Sequence, residues 1–374
     1  MGSIAPAGGG LATQQRRQIR PVDPNIVLPL LSSVLSFAFA ALVGDQWLRR
    51  RHPYQLVWTI GLLWYGISAG TEFLGGALGW SEPLYRAWYL VGAVWVAGWL
   101  GLGTAYLLAR TRFGYAFALA LVLAGLFTFL TQLKYAYPNA GAAPLIYFAL
   151  AILLAGIVVV MTFRRDERWA HVAAIVVVGG SVASALMMAT LHLPPPGFAV
   201  DPATHIPTGE LFPGYLRLLT PFFNITGAFV LVLGALYSAF VFMPKRRPIR
   251  YTLRRGQPAG DWLLNLVKAP IAVVVNFVSS LPRAGTALVK GELNSRVPAT
   301  ILIAIGGLIP AFTSGANRFG STSGFFVGEF LGVLFLFLGF LVSIEVFSDL
   351  RLPFTRVVLR RRDRGDATER AEAG

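Results

Sequence analysis

Cysteine is absent from this 374-residue chain, which excludes disulfides, thiolate zinc sites, cysteine-ligated iron–sulfur clusters and cysteine nucleophiles. Charge is scarce as well: 13% of the residues are Asp, Glu, Lys or Arg against 55% hydrophobic, the reverse of a soluble domain's balance. Lysine is the rarest base. Lys134, Lys245, Lys268 and Lys290 all fall outside the predicted spans, so no amine is placed to hold a retinal Schiff base. No His-Glu-x-x-His pattern occurs, and a zinc protease has no support. Acids are few beside 32 Lys and Arg, giving a formal charge of +15. That excess would suit nucleic acid only if it formed one continuous face; instead it sits at the ends of apolar segments, so no nucleic-acid partner is expected.

What the chain has in abundance is long apolar runs. Segments near 26–48, 54–79, 84–109, 113–133, 144–163, 170–191 and 216–243 are long enough to cross a bilayer at about 1.5 Å rise per residue. Two more follow near 299–314 and 323–347. Arginine and lysine clusters fall after every second run: Arg49–Arg51, Arg110 and Arg112, Arg164 with Arg165 and Arg168, Lys245–Arg247, and Arg360–Arg362. Such loops stay in the cytoplasm, which puts the amino terminus outside and the carboxyl terminus inside the inner (plasma) membrane. Arg16, Arg17 and Arg20 oppose this, but the arginines after the first run lie closer to it. Residues 2–24 are polar, glycine-rich and basic rather than an apolar leader, so the first run is expected to be its own insertion signal.

The fold class that follows is all-α: a polytopic helical membrane protein of about nine transmembrane helices, a seven-helix bundle plus a C-terminal two-helix hairpin. Residues 1–25 are expected to form a flexible outer segment and 26–244 the seven-span bundle. Residues 245–298 mix Arg250, Lys268, Arg283 and Lys290 with Trp262, Leu263, Ile271 and Phe277, which predicts a cytoplasmic amphipathic segment on the anionic inner leaflet. A short buried tenth helix near 262–281 is the competing reading. Residues 299–348 form the hairpin and 349–374 a basic cytoplasmic tail. The spacing Gly66-x-x-x-Gly70 predicts close helix approach, and Trp47, Trp58, Trp80, Trp88, Trp169 and Trp262 are expected to be interfacial anchors.

Polar residues inside a span are costly, so their positions point to function. Most fall in the outer half: Glu72, Arg86, Thr128, Gln132, His192, Arg217, Thr220, Asn224 and Glu329. Arg217, Thr220 and Asn224 share one helix face by spacing, as do Thr128, Thr131 and Gln132. Pro221 should break the seventh span near Arg217. Glu72 and Arg86 lie about equally far from the turn at Trp80 and are expected to pair. Glu72, Arg86, Gln132, Arg217 and Asn224 are therefore the candidate ligand-binding residues. They suit an outward polar cavity for a small or lipid-like ligand, or interhelical pairing that satisfies only itself.

The longest outer loop, 193–215, carries Pro194-Pro195-Pro196, expected to be a stiff extended cover. His192, Asp201, His205 and Glu210 are weak metal candidates in no established motif, and no metal or cofactor is expected. Gly315-x-x-x-x-Gly320-Ser321-Thr322 lacks a phosphate loop's lysine and its preceding strand. The reading is a non-enzymatic protein that binds or moves a small or lipid-like ligand, or serves as a membrane subunit of a complex. Its expected partners are membrane lipids and possible complex subunits. The alternative is an integral-membrane enzyme acting on a lipid or isoprenoid, with Glu72, or Asp201 and His205, as acid–base groups. Reporters fused after Arg51, Arg165 and Arg247 should register cytoplasm and one in the 197–209 loop the exterior; a cytoplasmic signal from that loop would invert the topology.

Overall fold

A computed structural model describes residues 23–202, 206–251, 258–318, 324–342, 349–351, 353–355 and 358–361. The helices are α1 (Pro24–Arg50), α2 (Pro53–Leu78), α3 (Glu82–Ala87), α4 (Val96–Leu107), α5 (Gly114–Tyr135), α6 (Ala143–Phe163), α7 (Trp169–Thr190), α8 (Gly214–Arg217), α9 (Leu219–Phe242), α10 (Ala259–Val289), α11 (Arg296–Arg318) and α12 (Phe325–Val342). A π-helical stretch, Trp88–Trp95, carries α3 into α4 without a break. Short antiparallel strands β1 (Asp349–Arg351) and β2 (Val358–Arg361) end the described chain, inside the segment expected to be only a charged tail. The fold is all-α and polytopic.

Among the described residues nine helical stretches are long and apolar enough to cross a membrane: α1, α3–α4, α5, α6, α7, α8–α9, α10, α11 and α12. The sequence reading also reaches nine, but with α2 in place of α10. The difference is physical. Gln55, Ser68, Thr71 and Glu72 depress the hydropathy of α2, yet all four are buried, facing protein rather than lipid. Helix α2 lies along α1 at several levels, with Gly44 against Thr59, Ser33 Oγ donating to the Gly66 carbonyl at 2.8 Å, and Gly76 against Ile26. Any layer crossed by α1 is therefore crossed by α2.

Local chemistry sets the boundaries. Asp23 accepts from the Asn25 amide at 2.9 Å and Pro24 fills the first helical position, where a missing N–H costs nothing. Arg51 takes the left-handed conformation at φ 55 and closes α1. The helix interruption expected from Pro221 lies at Leu218, between α8 and α9.

Close packing rests on small residues. A Cβ on Gly66 would come within 2.9 Å of Phe37, so the predicted Gly66/Gly70 face is the α1 contact. Helices α4 and α9 approach backbone to backbone, and a Cβ on Gly227 would lie 2.0 Å from the Ala97 carbonyl oxygen. The C-terminal hairpin shares this core. Helix α12 packs on α1 through Phe39, whose ring lies 5.4 Å from Phe337 and 5.0 Å from Phe340. Helix α11 follows α9, with Ala304 beside Val232 and Ala235.

The loops gather at two ends. At one, Arg110 pairs with Glu167 at 3.1 Å, Trp169 donates to the Ala109 carbonyl, and the Phe354 amide donates to Asp45 at 3.1 Å. Asp166, in the same loop as Glu167, accepts from the amide and Nε of Arg168, and these bonds hold its carboxyl below the usual carboxylate range. At the other end, Arg86 reaches the end of α7 and the Gly214 amide donates to the Pro138 carbonyl at 2.7 Å. Gly227→Leu should lower the thermal midpoint, costing about 1–3 kcal/mol by overpacking. Gly156, with open space around its missing Cβ, should accept Ala without loss in the same thermal scan.

Candidate functional site

Two acids from distant parts of the chain meet in the interior. Glu72 of α2 is 2% exposed, and its Oε1 accepts from the Trp88 indole at 2.8 Å. The charged group facing it is Glu329 of α12, close enough for a hydrogen bond between the two carboxyls. Glu329 is half-buried, with its Oε2 sealed from solvent. Among the described residues, neither Oε2 receives a bond from an N–H or hydroxyl donor. A carboxylate has no donor of its own, so the two can bond only with a proton between them.

Side chains from three helices close around this site. Tyr65, two turns before Glu72 on the same face of α2, donates its hydroxyl to the Glu329 backbone carbonyl at 2.7 Å. Since Ser33 bonds the Gly66 carbonyl one residue on, the neighbouring Ser32 lies at the same level of the bundle. Ser32 Oγ is fully buried and also lacks a partner. Trp88 opens the π-helical stretch, where the Val96 amide reaches back five residues to Val91. Such turns concentrate at functional positions because the wide turn re-aims side chains. At about 1.5 Å per residue, Glu72 lies roughly 9 Å and Glu329 roughly 6 Å inside their helix ends.

The expected Glu72–Arg86 pair does not form. Arg86 instead binds Glu82 through Nε at 2.9 Å and Nη2 at 2.5 Å, and donates to the carbonyls of Met188 and Leu191. The reason lies in helix geometry: Glu82 is one turn before Arg86 on the same face, whereas Trp88, which does meet Glu72, points elsewhere. Trp88 is thus a buried donor rather than the expected interfacial anchor; the indoles of Trp169 and half-buried Trp58 donate to the carbonyls of Ala109 and Leu100.

Gln132 and Arg217 do come together, through Tyr137. Gln132 Nε2 donates to the Tyr137 carbonyl at 3.2 Å and the Arg217 guanidinium lies 3.9 Å over the Tyr137 ring. Asn224 is half-buried two turns further along α9, and no hydrogen bond draws it into this group. Thr128 and Thr131 bond carbonyls of their own helix, while Thr220 donates to the Tyr89 hydroxyl at 3.1 Å.

Of the metal candidates, His192 and Glu210 are exposed, Asp201 is half-buried, and His205 lies outside the described residues. Among the described residues no three His, Asp or Glu cluster. Their loop is a plug: Phe212 is 1% exposed and stacks on Tyr85 at 4.9 Å and Tyr89 at 4.1 Å. The three prolines form a turn, closed by the Gly197 amide on the Pro194 carbonyl at 2.8 Å, instead of the expected extended cover. Most of the Gly315–Thr322 stretch also lies outside the described residues. A cavity of about 10 Å³, at the lower limit for a single water, is lined by Gly98, Gly101, Phe117, Phe222, Phe223 and Gly227 and by none of the candidate residues.

Compared with protein-family models, curated proteins and solved structures, this chain has no match. The site's chemistry therefore rests on its own geometry. Arg86→Met should cost more stability than Glu82→Gln, because it also strips two buried carbonyls of their donor; the ion pair itself, with Glu82 41% exposed, contributes at most about 1 kcal/mol. In a double-mutant cycle, Arg86→Met and Glu72→Gln should add within about 0.5 kcal/mol, and a larger coupling would show that the two side chains do meet.

Proposed function

We propose that this multi-pass membrane protein is a non-enzymatic binder or carrier of a small cation, the proton foremost, held by Glu72 and Glu329. The observation that carries this reading is the pair of carboxyls, Glu72 buried and Glu329 half-buried, that face each other with no Lys or Arg between them among the described residues. Two carboxylates in a low-dielectric interior repel strongly, so the site favours one positive charge: a shared proton or a bare monovalent ion. Intramembrane acids without a fixed basic partner are the usual stations of proton and ion pathways.

The same geometry narrows the broader expectation of a small or lipid-like ligand. Arg86 is occupied by Glu82 and two carbonyls, and Arg217 by Tyr137, which supports interhelical pairing as their role. Action as a membrane subunit of a complex is compatible with an ion site and adds nothing to it.

The test uses the purified chain in vesicles with an internal pH dye and an imposed potential. Wild type should admit protons at least tenfold faster than Glu72→Gln or Glu329→Gln, variants in which an amide can bond the remaining carboxyl without a shared proton. Sodium should either leave this flux unchanged, identifying the proton, or compete with it and raise the thermal midpoint in a Glu72-dependent way. Equal flux and equal pH and sodium dependence in wild type and the Glu72→Gln, Glu329→Gln double variant would reduce the pair to packing.

A further inference from the structure

Helix α10 qualifies by composition as a span, yet its place in the fold argues that it lies flat. The chain leaves α9 near Met243 and enters α11 at Arg296, and Val297 packs with Ala239 and Met243. Both ends of the connection therefore meet the same end of the bundle. For the 31-residue α10 to cross the layer, the connection between Met243 and Ala259 would have to cross it as well, as non-helical backbone that an apolar layer does not accommodate. Its second half packs on the bundle: Ala284 joins the cluster of Ala239, Met243 and Val297, and Phe277 meets Phe240 at 6.3 Å.

The two faces of α10 differ sharply. On one face Asn276 bonds the amide and carbonyl of Ile249, Ser280 bonds those of Arg246, and Arg283 donates to the Lys245 carbonyl. The 245–249 segment thereby covers that side and buries Asn276 and Ser280. The other face presents Leu264, Ile271, Val274, Val278, Leu281 and Leu288, all exposed. At about 100° per residue these six fall within an arc of about 120°, and Lys268 and Lys290 follow within about 80° of its edge, between the stripe and the covered face that holds Arg283. Exposed Lys245, Arg246, Arg247 and Arg250 follow on the covering segment.

We propose that α10 is an interfacial helix that embeds its apolar stripe in an anionic lipid leaflet, with the neighbouring cations on the headgroups. The occupant is set by charge and shape together: a continuous apolar stripe needs acyl chains, and the flanking cations need lipid phosphates at the same level. An apolar stripe bordered by cations on an edge of a membrane-spanning bundle meets both in one surface. This inference is independent of the carboxyl pair.

The absence of cysteine makes the test direct. Single Cys substitutions at Ile271, Val274, Val278 and Leu281, with Lys268→Cys as flank control, carry a nitroxide in the full chain reconstituted into vesicles with and without phosphatidylglycerol. Variants are read once their melting temperature matches wild type, and Val289→Cys, at a position 90% exposed, serves as a further site. The four stripe positions should share one shallow depth, about 5–10 Å below the phosphates, and lie deeper with phosphatidylglycerol than without. Lys268→Glu combined with Lys290→Glu should abolish that lipid dependence. A depth rising steadily toward the bilayer centre along 271–281 would show a crossing helix, and equal depths in both vesicle types would overturn the anionic preference.

Discussion

Everything in this structure depends on one constraint: inside an apolar layer there is no water to complete a hydrogen bond, so each polar side chain must be satisfied by the protein. The chain meets it in three ways. Serines and threonines bond carbonyls one turn back on their own helix, as Ser36, Thr128, Thr131 and Thr226 do. Indoles reach across to neighbouring helices, where Trp95 and Trp99 donate to Ser184 and Ser181 of α7. Arg86 spends its donors on Glu82 and on the free carbonyls at the end of α7, tying two helices at their shared end. The pairing is not complete among the described residues: Ser32, Gln55, Trp64, Gln132, Thr162 and Ser295 each keep a buried polar atom without a partner, as do Glu72 and Glu329, and the two acids stand apart because they face each other.

The helical architecture was legible because apolar length and alternating basic loops are read along the chain. Span count was less so, since composition does not say which face of a helix meets protein. Helix α2, read as a span from its length, carries buried polar groups that lower its mean hydropathy, while α10, read as amphipathic, carries an exposed apolar stripe that makes it apolar enough to count as a span. The discriminating fact for each is a long-range contact: α2 lies along α1, and α10 returns to the end of the bundle from which it began.

The candidate site was legible residue by residue but not as a set. Glu72 and Glu329 both stand among the outer-half polar residues on sequence grounds, and their similar depth below their helix ends was a usable signal. Pairing Glu72 with Arg86 followed from the short turn at Trp80, a local argument. Within one hairpin, equal distance from the turn fixes depth but not the direction around the helix, and direction decides the partner. The contact with Glu329 spans 257 residues of chain, and it exists because α12 packs against α1 and α2, a docking that the connection lengths do not reveal. Gln132 and Arg217 were matched in depth by similar reasoning and do meet, through a tyrosine that carried no polar signal of its own.

The position of the acid pair also gives the C-terminal hairpin a meaning beyond packing. Glu72 belongs to the N-terminal bundle and Glu329 to the hairpin, and Tyr65 stitches the two by bonding the Glu329 backbone. Under the proposed function, a positive charge shared between the carboxyls would favour the docked hairpin, and an empty site would leave two negative charges pushing α12 away from α2. Linkage makes this reciprocal: whatever the cation contributes to docking, docking contributes to cation affinity. Under the proposed function, the site and the seam between the two parts of the protein are therefore one element. Under that reading, movement of α12 against α2 would open the pair for exchange, because it separates the two carboxyls while leaving the Trp88 bond to Glu72 in place.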